Sequence, residues 1–260
     1  MKKVFIILLI VFALFLVGCD NSGNGEPDTS APPGSDGQGE TPGAPGPTVD
    51  PNPPKNLMDM VARNPLIFTD KDLEFLDFRL WDSEQALFEA LGEPIGREDI
   101  YEDQFTWPVY YLEFEDFGFV RMEPSRETDS GDAESVDYII GSVTVITDKY
   151  IGPRGIRVGD GYLDVVNNFF VDEYMHDEII DGVLYLYAYP EGTMYISGRF
   201  IFNEETDDYN EEDIMFIMYN FTPFGEKDEF LGIGYTLAFT LEDCRIVSIG
   251  MKKQSTNILH

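Results

Sequence analysis

The chain has 260 residues, with 49 acidic against 17 basic side chains and a formal charge of −32. That balance excludes the usual footprint of a nucleic-acid binder, which sets Lys and Arg against phosphates, and it makes anionic headgroups repel the folded part. Hydrophobic residues at 43 % beside only two cysteines predict a core held by apolar packing rather than by disulfides.

In chain order the first element is Lys2-Lys3 followed by an unbroken apolar run from Val4 to Val17. A bilayer takes about 20 apolar residues, so this run is short for a span and suits the h-region of a secretory signal. It closes on Leu16-Val17-Gly18-Cys19, and in this it resembles the lipobox of a bacterial lipoprotein precursor. A plain signal peptide or an N-terminal anchor is the competing reading of the same residues. The resemblance implies a signal peptide over 1–18, cleavage between Gly18 and Cys19, and a diacylglycerol on the Cys19 thiol. Two acyl chains anchor a protein stably where one does not. The resulting expectation is a protein on the extracytoplasmic face of a bacterial cell membrane, touching lipid through Cys19 alone. Where such an organism has two membranes, the family's sorting rule reads Asp20 as retention at the inner one.

Residues 19–56 follow as a tether. Between Asp20 and Asn56 there are 7 Gly, 9 Pro and no aromatic residue, a composition that buries too little apolar surface to offset its ordering entropy. A flexible coil of this length has an end-to-end distance of about 35 Å.

The remainder predicts an α+β fold made of two similar small domains, 57–147 and 148–260, each a helix packed on an antiparallel meander. In the first, Leu73 to Phe78 reads as a strand. Asp82 or Ser83 reads as the cap of a helix through Leu91 that has Leu87, Ala90 and Leu91 on one face, and Gly92 with Pro94 stops it. Tyr110 to Glu115, a turn at Asp116-Phe117-Gly118, and Phe119 to Met122 predict a hairpin. A strand from Tyr138 to Thr147 leads into the second copy. There Asp160 reads as the cap of a helix with Leu163, Val166 and Phe170 on one face. Strands are predicted at 183–189, 194–202, 214–221, 234–241 and 245–251. The clearest alternation sets Tyr235, Leu237, Phe239 and Leu241 against Thr236, Ala238 and Thr240.

Trp81-Asp82-Ser83 to Leu91-Gly92-Glu93-Pro94, together with Gly155-Ile156-Arg157-Val158-Gly159-Asp160 to Phe169, resemble the strand, cap, helix and Leu-Gly-x-Pro pattern of two related groups. These are the β-lactamase-inhibitor-protein-like fold and the small lipoprotein of the outer-membrane β-barrel assembly machinery. The resemblance spans about residues 70–252. It implies a non-catalytic module that presents a sheet surface to another protein. The chain departs from the pattern at Val171-Asp172-Glu173, where the second Leu-Gly-x-Pro would stand.

Material for catalysis is sparse. His176 and His260 are the only histidines, which disfavours His triads and His-rich zinc sites. Once Cys19 carries lipid, Cys244 has no partner for a disulfide. The expectation is no enzyme, no catalytic residue and no resident metal. Candidate binding positions are the aromatic side chains Trp107 and Tyr111, which would anchor a protein interface if they face outward. A local basic spot, Arg154 and Arg157, would receive an acidic partner. Two alternatives stand beside this. The acidic loops 129–134 and 204–213 offer the hard oxygen ligands of a calcium-dependent envelope protein, and paired carboxylates among 49 acidic residues would serve a hydrolase.

Overall fold

The computed structural model describes residues 61–102, 105–125, 136–172, 179–189, 196–203, 209–223 and 233–255. After helical residues 61–63, Asp70–Leu73 forms a 3-10 turn, opened where the Thr69 amide donates to Asp72 Oδ2 at 2.9 Å. The strand expected over Leu73 to Phe78 is therefore a series of turns, which still buries Leu73 and Phe78. Helix α1 (Glu84–Leu91) begins where expected: Ser83 Oγ accepts from the Ala86 amide at 3.4 Å, and Gly92 ends the helix at φ 80. Helix α2 (Tyr162–Asn168) is capped at Gly161. It turns Val165 and Phe169 inward and leaves Leu163 55 % exposed, so its buried face is not the one expected.

Nine strands carry the rest: β1 (Gly96–Ile100), β2 (Val109–Phe114), β3 (Gly118–Pro124), β4 (Tyr138–Val145), β5 (Val183–Tyr189), β6 (Ile196–Phe202), β7 (Ile214–Phe221), β8 (Ile233–Glu242) and β9 (Arg245–Ser255). They form one antiparallel sheet in the order β1-β2-β3-β4-β9-β8-β7-β6-β5. This corrects the expected fold class. The described chain is mostly β, a nine-stranded sheet with short helical segments, and not an α+β pair of helix-packed domains. The physical reason is the pairing of β4 with β9, which sets Ser142 opposite Lys252 and Val145 opposite Ile249. Two meanders that would each have ended in an open edge satisfy each other's backbone groups instead. All these elements belong to one compact unit, Asn52–His260.

The core lies against one face of the sheet. Leu112, Val120, Val143, Met251, Leu237 and Tyr219 follow one another across six strands and join a single buried cluster with Phe68, Leu87, Val165 and Phe169. Both helices pack here. The Phe169 ring stacks on Tyr219 with centroids 4.4 Å apart, and Tyr219 lies 6.3 Å from Tyr187 at an interplanar angle of 24°. Gly198, between these two tyrosines in the ladder, makes the approach possible. A Cβ there would stand 2.6 Å from the Tyr187 ring and 2.8 Å from the Tyr219 ring.

Candidate functional site

Because successive strand residues point to opposite faces, the residues between those core positions fall on the second face. In ladder order they are Tyr111, Arg121, Ser142, Lys252, Thr236, Asn220 and Ser197. A continuous polar row thus crosses seven strands. The neighbouring residues Phe119, Met218 and Ala238 are buried but stand outside the main cluster, and five residues of the row, Arg121, Ser142, Lys252, Thr236 and Ser197, are themselves buried.

The two ends of the row differ in how their polar groups are satisfied. At one end Thr236 Oγ1 donates to Asn220 Oδ1 at 3.0 Å, and Asn220 Nδ2 reaches Ser197 Oγ at 3.4 Å. At the other end Arg121, only 2 % exposed, donates from a terminal nitrogen to Glu102 Oε2 at 2.8 Å and pairs through the other with Glu123. Gly141, beside the irregularity where β4 passes Arg121, leaves room for the Glu123 carboxyl that a Cβ would occupy. The Phe105 ring lies 5.7 Å from the Arg121 guanidinium carbon. Arg121 Nε and Ser142 Oγ are buried with no hydrogen-bond partner.

Lys252, 9 % exposed, stands directly across from Ser142. Burial, reinforced by the Arg121 charge and opposed by Glu102, pulls its ammonium pKa down to about 8. Burial also pushes the Tyr111 hydroxyl up to about 12, against the Arg121 charge beside it. Two donors of the row, Arg121 Nε and Ser142 Oγ, are buried without a partner, and desolvation gives each a cost. Among the described residues the row holds no histidine or cysteine, and no group of three metal-ligating side chains occurs.

The residues singled out in the sequence fall in several places. Tyr111 belongs to the polar row, and Trp107 lies half-buried in the segment between β1 and β2 that also supplies Glu102 and Phe105. The two expected basic residues part company. Arg154, in the left-handed region at φ 55, donates to both Asp72 carboxylate oxygens at 2.7 and 2.9 Å and to the carbonyls of Leu66, Ile67 and Asn168. Its five N–H groups are thereby all engaged, and its guanidinium also lies 4.1 Å from the Phe169 ring centre. It ties the turn after β4 to the segment before the first 3-10 turn. Arg157 is exposed. Gly18 and Cys19 lie outside the described residues, as do loop 129–134 and residues 204–208 of the second acidic loop. In the rest of that loop Asn210 caps a short turn over Glu211–Asp213.

Sequence reasoning missed Arg121, Ser142 and Lys252. A signal for the first was present in Phe119-Val120-Arg121-Met122-Glu123, where period two sets Arg121 and Glu123 on the face opposite Val120 and Met122. Lys252 was beyond reach, because the apolar alternation of the last strand ends at Met251.

No protein-family model, curated protein or solved structure matches this chain.

Proposed function

We propose that this chain is a lipid-anchored, extracytoplasmic, non-catalytic protein-binding module of the bacterial envelope that meets its partner with the second face of the sheet. The observation that carries the reading is the polar row from Tyr111 to Ser197, on the face away from the helices. Five of its seven residues are buried and form a rigid, registered frame, and contact would be made through its half-buried members, Tyr111 and Asn220, with Tyr111 as the aromatic anchor. Those are the ingredients of a specific interface with a desolvated centre. The anchor rests on the Leu16-Val17-Gly18-Cys19 motif and the tether behind it. No helix among the described residues is long and apolar enough to cross a membrane.

The experiment has two arms. Cys19→Ala should move the protein from the membrane fraction to the soluble fraction and abolish labelling by a radioactive fatty acid. Retained labelling would remove the anchoring claim. Affinity capture from native envelope in non-ionic detergent, using the full chain, should recover one reproducible partner. Tyr111→Ala should reduce that capture about tenfold, whereas Leu163→Ala on the exposed side of α2 should leave it unchanged. The opposite pattern would place the interface on the helical face.

A further inference from the structure

The sheet ends in β1 on one side and β5 on the other, and the two borders differ. β5 already gives its Leu186 carbonyl to the Asp172 amide at 2.7 Å and both backbone groups of Val183 to Ile180 at 3.0 Å. Beside β1, the Glu113 carbonyl of β2 accepts the Ile95 amide at 2.7 Å, so the Glu113 backbone faces β1. Backbone groups alternate sides along an antiparallel strand, and Glu113 and Tyr111 therefore face Gly96 and Glu98. The amides and carbonyls of Arg97 and Asp99 then point away from β2, and no described residue bonds to them on that side. Large apolar side chains stand at both ends of this border, Ile95 62 % and Tyr101 83 % exposed. We propose that β1 pairs antiparallel with β1 of a second copy of this chain, about a two-fold axis at Glu98, and so joins two sheets into one. The pairing is independent of the partner proposed for the second face.

Charge selects both the occupant and the register. The strand reads Gly-Arg-Glu-Asp-Ile, and an axis at Glu98 sets Arg97 of each copy opposite Asp99 of the other. Each Arg97 can then exchange its outward amide and carbonyl with that Asp99, and opposite charges directly across a ladder stabilise it. The two neighbouring registers would set Arg97 on Arg97 or Asp99 on Asp99. Arg97 lies over the Tyr110 ring, 3.8 Å from its centre, and donates from Nε to its own Asp99 at 2.9 Å. Both charged side chains are thus on the core side of the strand, and they stay half exposed at 49 and 50 %. The same axis brings the Ile95 end of each strand beside the Tyr101 end of the other. A border strand without this alternation of charge would leave Arg97 and Asp99 unmatched, which is why the fitting partner is the chain itself. Glu98 meets Glu98 of the other copy on the opposite face, a like-charge contact that weakens the pair. A contact along one five-residue strand also buries less than the roughly 1,200 Å² of stable interfaces, so the association is weak and reversible.

The test is cross-linking of the full chain in non-ionic detergent, with Cys244→Ser as background. Residues opposite each other at a non-hydrogen-bonded position have Cα atoms about 4.5 Å apart, within reach of a disulfide. Under mild oxidation Glu98→Cys should therefore give a covalent dimer in about five times the yield of Leu163→Cys, which reports chance collision and shared micelles. Adding Arg97→Asp or Asp99→Arg to Glu98→Cys opposes like charges and should lower the yield about fivefold. Mixing these two charge-reversed chains, one carrying a tag that changes its mass, should restore the yield as a mixed dimer, because opposite charges again face each other. Wild-type circular dichroism would establish that each variant is folded. A Glu98→Cys yield no higher than that of Leu163→Cys would overturn the pairing. Charge reversals that leave the yield unchanged, or a mixture that does not restore it, would overturn it as well.

Discussion

At the scale of single residues, the half-buried Arg154 and the buried Lys252 behave in opposite ways. Arg154 is fully matched: every guanidinium N–H has an acceptor, and Asp72 supplies the opposite charge. Truncation to Arg154→Met should cost about 3 kcal/mol, since it strands a partly buried carboxylate and three carbonyls, and a urea midpoint shift would measure it. Lys252 has no ion pair among the described residues, and its folded pKa of about 8 lies below the ordinary 10.5. Below pH 8 both folded and unfolded chains carry the charge, so the burial penalty is fully present. Between pH 8 and 10.5 the folded chain has released a proton that the unfolded chain still holds, so this site's contribution to stability rises with pH. Lys252→Met should therefore be more stable than the wild-type chain at pH 7 by about 2 kcal/mol. That advantage should shrink across pH 8–10.5, as seen in the difference between the two melting temperatures. A constant difference would mean that Lys252 does not titrate in this window.

Among the elements, the helices and hairpins follow from short-range rules and their burial does not. Ser83, Gly92 and the turn before Gly118 mark boundaries that stand in the structure as their chemistry predicts. Strand β1, with the sequence Gly-Arg-Glu-Asp-Ile, has no apolar alternation to announce it. It exists because β2 offers it an edge, and its charged residues suit a strand at the sheet border. In α2, Val165 and Phe169 rather than Leu163 face inward, because the stack of Phe169 on Tyr219 sets the rotation of the element. Gly198 reports on the same packing. Gly198→Ala would force its Cβ into two tyrosine rings and should destabilise the protein by about 2 kcal/mol, measurable as a lower thermal midpoint with the strand content unchanged. A neutral outcome would mean that the Tyr187 and Tyr219 rings move aside freely.

For the molecule as a whole, the pairing of β4 with β9 is the decisive contact. It makes one sheet of two meanders, and the buried cluster runs from Leu112 and Val120 through Val143 and Met251 to Tyr219 and Tyr187 without a gap. Unfolding should then be a single cooperative transition. Fluorescence of Trp81 and Trp107, both in the first meander region, should track the far-ultraviolet circular dichroism of the entire sheet in urea. Two separated transitions would mean that the meanders keep independent cores. The sequence by itself determined what depends on neighbours a few residues apart: the apolar run before Cys19, the Pro- and Gly-rich composition of residues 20–56, the caps of α1, and the alternation of the inner strands. Only the tertiary structure decided that the meanders join, that Arg154 is an internal clamp bonded to Asp72, and that Arg121, Ser142 and Lys252 share one face. These depend on contacts between residues distant in the chain, which no local periodicity encodes, and on burial, which lowers the pKa of an ordinary strand lysine.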